Sequence, residues 1–190
     1  MGGVLYDFQG DRLIARASRR ARRWRRDEVQ AHWSALARGF ETGNETDMQF
    51  AEAVVQRYEL TLTAEEFLAE FRSAAVGFFE GALSLVADLR DRHRVLSLSN
   101  TNSVQWAKVL ADMGANDPFH AHHPSHLLGF HKPDVRAFEA LSQSLATRTA
   151  CHFLDDRSEN VQAAARFGWH AQRVRGVAEA RSACEQAGLL

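Results

Sequence analysis

The chain has 190 residues, 45% of them hydrophobic and 25% charged, with a formal net charge of −1. That apolar share excludes a disordered tail, and the balanced charge excludes a wholly acidic or basic one. No run of about 18 apolar residues offers a membrane span, the first residues lack a basic-then-apolar export signal, and Cys151 and Cys184 are too few for a disulfide framework, so a cytoplasmic protein with no membrane partner is expected.

The length suits one domain of about 150 residues with an insert. The near-zero charge conceals an asymmetry. Seven arginines (Arg16, Arg19, Arg20, Arg22, Arg23, Arg25 and Arg26) and no acid lie between Arg16 and Arg26. Taking those seven positive charges out of a net −1 leaves the other residues at −8. Such a run can bind phosphates or nucleic acid. A basic run alone reads first as a solvated helix face, so nucleic acid is not the expected partner.

After a short apolar start, the first half reads as helices. Thr46 with Gln49, and Thr63 with Glu66, are capping-box pairs that satisfy the orphan amides of a helix start. Apolar residues follow at helical spacing: Phe50, Val54 and Tyr58, then Phe67, Phe71, Ala75 and Phe78. A further helix spans about 82–91, with Leu85 and Leu89 on one face. Trp24 and Trp33 read as packing residues.

The second half changes character. Residues 94–99 form a short apolar-rich run without helical period, read as a buried strand. A helix is predicted from Ser103 to Gly114, where glycine can close it. A strand over 119–122 and a proline-initiated helix over 133–146 follow. Then come a strand over 151–155, a helix over 159–167 ending at Gly168, and a strand over 170–174. Cys151 reads as inert core at a strand start. Strands alternating with helices imply a parallel sheet with helices on both faces.

In such sheets ligands bind beyond the carboxyl ends of the strands. Three polar groups fall there. Ser99-Asn100-Thr101-Asn102 offers a hydroxyl and free amides before a helix, an anion site. Lys132, in Gly129-Phe-His-Lys-Pro-Asp134, is a fixed cation. Asp155 and Asp156 are adjacent carboxylates at a strand end, suited to Mg²⁺. Each is a weak signal alone, since a helix cap, surface punctuation or a turn would look the same. Together they describe a phosphate clamp.

This constellation resembles the haloacid dehalogenase-like (HAD) hydrolase superfamily, in particular the subfamily with a small helical cap inserted after the first strand. Leu96-Ser-Leu-Ser-Asn-Thr-Asn102 matches the second family motif and Gly129–Asp134 the third. Phe153-Leu-Asp-Asp156, followed by Asn160, Ala164 and Gly168, matches the fourth. The resemblance implies an α/β fold: a three-layer Rossmann-like parallel sheet core formed by residues 1–12 and 82–190, with an α-helical cap over 13–81. It implies a Mg²⁺-dependent phosphatase acting on a small phosphorylated substrate through an aspartyl-phosphate. Ser99 and the Asn100 amide would hold the phosphoryl group, Lys132 would neutralise it, and Asp155 and Asp156 would hold the metal.

The first family motif, a strand ending in the nucleophilic Asp, fits two registers. In one, Met1-Gly-Gly-Val-Leu5 matches the residues after the nucleophile, which would precede Met1 together with its strand. In the other, Asp7 is the nucleophile, and Gln9, which cannot shuttle a proton, stands at the acid/base position. The first is favoured as the alignment. A chain folding as it stands is expected to recruit residues 4–8 as a substitute strand.

Three other readings stay open: a HAD-like binder of a phosphorylated ligand or protein with no catalysis, dehalogenase chemistry, and phosphonatase chemistry. Lys108 and Lys132 are the only lysines, which leaves no evident Schiff-base residue for the last. The histidines at 120, 122, 123, 126 and 131 fix no ligand geometry and read as a polar loop at the site mouth rather than a metal centre.

Overall fold

The computed structural model describes residues 1–9, 13, 17, 26–145 and 150–190, with the backbone alone for 26–31. The side chains of the arginine run, together with Asp11, Trp24 and Ala146, lie outside the described residues.

The first half contains β1 (Tyr6–Phe8), α1 (Arg26–Glu41), α2 (Asp47–Tyr58), α3 (Ala64–Ser73), β2 (Ala75–Phe78) and α4 (Ala82–Arg90). Both capping boxes form: the Thr46 and Thr63 hydroxyls accept from the amides of Gln49 and Glu66, whose side chains accept in return from the threonine amides. The apolar faces that follow converge on one cluster, where Phe40 stacks on Phe50 at 4.5 Å and Phe67 on Phe71 at 5.6 Å. Trp33 packs edge-on against Phe50 at 5.5 Å. Each fully buried phenylalanine stabilises the layer by roughly 1.5–3 kcal/mol.

The helical spacing through Ala75 and Phe78 misleads. The α3 helix stops at Ser73, and Ala75–Phe78 is a strand antiparallel to β1, with Tyr6 opposite Phe78 and Phe8 opposite Ala75. Strand pairing wins here because Gly77 takes φ 147°, which no helix accommodates, and because Tyr6 meets Phe78 edge-on at 5.0 Å.

The second half supplies β3 (Leu96–Ser99), α5 (Ser103–Met113), β4 (Ala121–Pro124), α6 (Ser125–Leu128), α7 (Val135–Ser142), β5 (His152–Asp155), α8 (Ser158–Phe167), β6 (His170–Arg173) and α9 (Gly176–Gln186). The expected strand and helix order is present, giving an α/β Rossmann-like fold. Bounds shift locally: α7 begins at Val135, because Asp134 rather than Pro133 caps it by accepting from the Arg136 amide. Two helices escape the sequence reading. The four residues of α6 are too few for periodicity, and α9 buries only the small side chains Ala180, Ala183 and Cys184.

The parallel sheet is in two pieces. Strand β3 pairs in parallel with β4, and β5 with β6, but among the described residues no ladder joins β3 to β5. Between them lies a cavity of about 330 Å³, lined by Leu5, Leu96, Leu98, Phe153 and Leu154 among others. The expected substitute strand does not fill it. The amides of Val4, Leu5 and Tyr6 all turn back to the Met1 carbonyl (2.9–3.2 Å), so the chain is a tight turn there. Only Tyr6–Phe8 is extended, and it pairs with β2.

Candidate active site

The carboxyl ends of β3 and β5 carry a buried polar cluster. Lys132, 5% exposed, donates from Nζ to the Leu98 carbonyl at 2.6 Å and to Asp155 Oδ2 at 2.7 Å. It thereby spans from β3 to β5. Asn100 and the Lys132 backbone exchange two bonds: the Lys132 amide donates to Asn100 Oδ1 at 2.9 Å, and Asn100 Nδ2 donates to the Lys132 carbonyl at 2.7 Å. The other oxygen of Asp155, Oδ1, accepts from the Arg157 amide and from Asn160 Nδ2, both at 2.9 Å.

These bonds set the charges. Burial works against ionised Asp155, yet the charge and hydrogen bond of Lys132, with the donors of Arg157 and Asn160, hold its carboxyl below the ordinary value. Asp156 goes the other way: burial, then the neighbouring Asp155 charge, pushes its carboxyl up. Ser99 is buried, and its Oγ accepts from the Met1 amino group at 3.3 Å. Burial and then the Lys132 cation press that amine down to about 5, so the place beside Ser99 disfavours a second cation.

The turn at Met1–Tyr6 sits against the same cluster. Gly3 has φ +74°, and a Cβ there would come within 2.5 Å of Asp156 Oδ2. Only glycine fits both the dihedral and the space.

Ser99, Asn100, Lys132, Asp155 and Asp156 are thus brought together, although Lys132 reaches the cluster from the loop between α6 and α7 rather than from a strand end. Asp7 is elsewhere. It faces Gly77 across β1 and β2, and its carboxylate accepts from Gln9 Nε2 at 2.9 Å. The sequence points to the Asn100 amide alone; the Asn100 side chain, which no local pattern marks, fastens one loop to the next. Asn160 carried a motif signal but no role; it proves to orient Asp155. Ser125 carried no signal: fully buried, it accepts from the Thr101 amide at 3.0 Å and donates to the Glu41 carbonyl at 2.6 Å, 84 residues away.

The histidines take separate tasks. His122 bridges Ser97 Oγ at 2.7 Å and Asp117 Oδ2 at 2.6 Å, while His120 Nδ1 accepts from the Val95 amide at 3.1 Å. Cys151 lies just before β5, where burial pushes its thiol up and away from reactivity. No helix among the described residues is long and apolar enough to cross a membrane.

A family model described as a haloacid dehalogenase-like hydrolase matches residues 1–168. The chain belongs to this family of hydrolases. Among solved structures it is similar to the HAD family enzyme BT-2542 of Bacteroides thetaiotaomicron in complex with magnesium and inorganic phosphate. The two are 19% identical, the likeness covers 92% of this chain and 90% of that one, and the TM-score is 0.70. It is also similar to L-2-haloacid dehalogenase of Xanthobacter autotrophicus with chloropropionic acid covalently bound: 21% identical, 98% and 80% covered, TM-score 0.62. At these identities the likeness establishes a shared fold.

Proposed function

We propose that this hydrolase is a phosphatase acting on a small phosphomonoester. The observation that carries the reading is the buried Lys132–Asp155 pair, which ties Leu98 of β3 to Asp155 of β5 next to Ser99. A buried cation, a hydroxyl and the amides opening α5 suit the equatorial oxygens of a transferring phosphoryl group. Residues 1–12 and 82–190 then serve as the core, and residues 13–81, which supply α1, α2 and α3, as the cap.

The acidic end fits Mg²⁺. Asp155 and Asp156 stand side by side at the carboxyl end of β5, and burial, then the Asp155 charge, pushes the Asp156 carboxyl up. The Asn160 Oδ1 beside them is buried without a hydrogen-bond partner among the described residues. Mg²⁺ characteristically takes one or two carboxylates and completes its shell with water and substrate phosphate. Asp155 and Asp156 would hold it, and when bound it supplies charge neutralisation for the phosphoryl oxygens. The same pair favours phosphoryl transfer over dehalogenation.

The reaction is a double displacement. A carboxylate attacks phosphorus in line, the bond from phosphorus to the alcohol oxygen breaks, and the alcohol leaves with a proton. Water then attacks the aspartyl-phosphate, releasing inorganic phosphate and restoring the carboxylate. Ser99, the Asn100 amide and Lys132 hold the phosphoryl oxygens through both steps. The attacking carboxylate belongs where the Met1 amine now meets Ser99, not at Asp7, which stands opposite Gly77 in the β1–β2 pair and accepts from Gln9. An apolar strand placed before Met1, entering the slot between β3 and β5 and ending in aspartate, would deliver it.

A second reading rests on the same placement: the chain beginning at Met1 binds phosphorylated ligands without turning them over. Hydrolysis of p-nitrophenyl phosphate with Mg²⁺ separates the two. The expected result is turnover only when such a strand is added before Met1. Binding of inorganic phosphate without turnover in either form supports the binder. Turnover by the unextended chain that disappears in Asp7→Asn makes Asp7 the nucleophile, and the absence of both turnover and phosphate binding contradicts both readings.

A further inference from the structure

Strand register places a second set of reactive groups on the core. Ser97 stands directly opposite His122 in the β3–β4 ladder, so their side chains share one face of the sheet. Ser97 Oγ lies 2.7 Å from His122 Nδ1, and His122 Nε2 lies 2.6 Å from Asp117 Oδ2. A carboxylate only accepts, so the imidazole proton sits on Nε2, and Nδ1 accepts from the Ser97 hydroxyl. The Phe119 amide donates to the other Asp117 oxygen at 2.9 Å and fixes the carboxylate. The imidazole packs against the rings of Trp106 and Phe119, at 5.1 and 5.0 Å. Hydroxyl, base and orienting carboxylate thus form one hydrogen-bonded line.

The hydroxyl end of that line meets a cavity. Ser97, 4% exposed, borders the space of about 330 Å³ between β3 and β5, whose walls include Leu5, Val86, Leu96, Leu98 and Phe119. Such a volume with an apolar lining suits a small organic ligand. Lys132, bonded to Asp155 of β5, also takes the Leu98 carbonyl, so Leu98 turns its backbone polar groups towards β5. Its amide lies on the edge of β3 where no ladder forms among the described residues. The amide that follows a nucleophilic serine is a recurrent donor to the oxyanion of acyl transfer.

We propose that Ser97, His122 and Asp117 are a nucleophile, base and orienting acid that cleave carboxylic esters with a short apolar acyl group, held in the cavity between β3 and β5. The Ser97 oxygen attacks the ester carbonyl carbon while its proton passes to His122 Nδ1. The tetrahedral oxyanion collapses, the bond from carbon to the alkoxy oxygen breaks, and the alcohol leaves with the proton from His122. Water then attacks the acyl-serine, giving a proton to His122, and the carboxylic acid departs as Ser97 takes that proton back. Asp117 holds the imidazole tautomer and balances the imidazolium charge. The activity does not rest on the phosphoryl reading, which uses Ser99, Lys132 and Asp155. An apolar strand entering the slot would fill the acyl pocket, so the esterase belongs to the chain as it stands.

That chain, treated with phenylmethylsulfonyl fluoride and digested for peptide mass spectrometry, is expected to carry the label on Ser97. It is also expected to release p-nitrophenol from p-nitrophenyl butyrate without Mg²⁺. Ser97→Ala and His122→Gln should each slow that release at least about a hundredfold, the worth of a positioned nucleophile and base. A serine that only packs would not take the label, and because the label is read on the unaltered chain, it decides even where a variant fails to fold. An unlabelled Ser97, no turnover by the unaltered chain, or turnover that survives Ser97→Ala overturns the proposal.

Discussion

The rim and the floor of the core are built in opposite ways. At the rim, side chains tie β3 to β5: Lys132 bonds Leu98 of one strand and Asp155 of the other, and Asn100 locks the Lys132 backbone in place. Below the rim, the same two strands share no ladder among the described residues and face an apolar cavity of about 330 Å³. A buried polar network can thus hold a site's geometry across a gap in the sheet that supports it. The consequence is concentration: one lysine carries both the cross-strand tie and the charge the chemistry needs.

The comparison breaks most readily at Lys132. Lys132→Ala leaves Asp155 buried and unpaired, and losing one partner of such a pair costs about 3–5 kcal/mol. Urea unfolding should show that loss; a change under about 1 kcal/mol would mean that the rim does not hold the two halves together.

The turn beneath the rim gives the next largest effect. Gly3→Ala must adopt a positive φ and displace Asp156, an expected loss of about 1–3 kcal/mol by the same unfolding measurement. An unchanged midpoint would place Met1–Tyr6 away from the site.

Acidity sharpens the contrast between the two carboxylates. Asp155 is held below its ordinary value, so its stabilisation is present at neutral pH and is lost as pH falls through the carboxylate range. Asp156 is raised, so its ionisation removes stability as pH rises through its shifted value. In metal-free solution Asp156→Asn should therefore raise the melting temperature at neutral pH and flatten that upper part of the profile, while removing the stabilisation conferred by added Mg²⁺. A lowered melting temperature would contradict this assignment.

Asp7→Asn gives the smallest effect. Asp7 lies outside the rim, and unfolding free energy and phosphate affinity should both hold within about 0.5 kcal/mol.

The rim was more legible in the sequence than the floor, for physical reasons. Ser99, Lys132 and Asp155 each follow or precede a strand or helix whose boundaries are marked locally, by short apolar runs and by Asn102, Asp134 and Gly168. Local marks also located both capping boxes. The split of the sheet has no such mark, because it depends on where residues 1–8 go. Val4 and Leu5 look like strand, but three amides converging on the Met1 carbonyl make them a turn. Phe78 continues a helical spacing, but Tyr6 claims it for β2. Ser125 and Glu41 could not have been joined from sequence, since their bond spans 84 residues without a pattern.

Titration of inorganic phosphate into the chain, with and without Mg²⁺, bears most directly on the claim that the rim is a phosphoryl site. Phosphate is expected to bind, more tightly with Mg²⁺, and Ser99→Ala, which can fold without leaving a buried charge unpaired, should weaken it by about tenfold. Phosphate that fails to bind in either condition, or that binds equally well to Ser99→Ala and to the unaltered chain, would contradict the account.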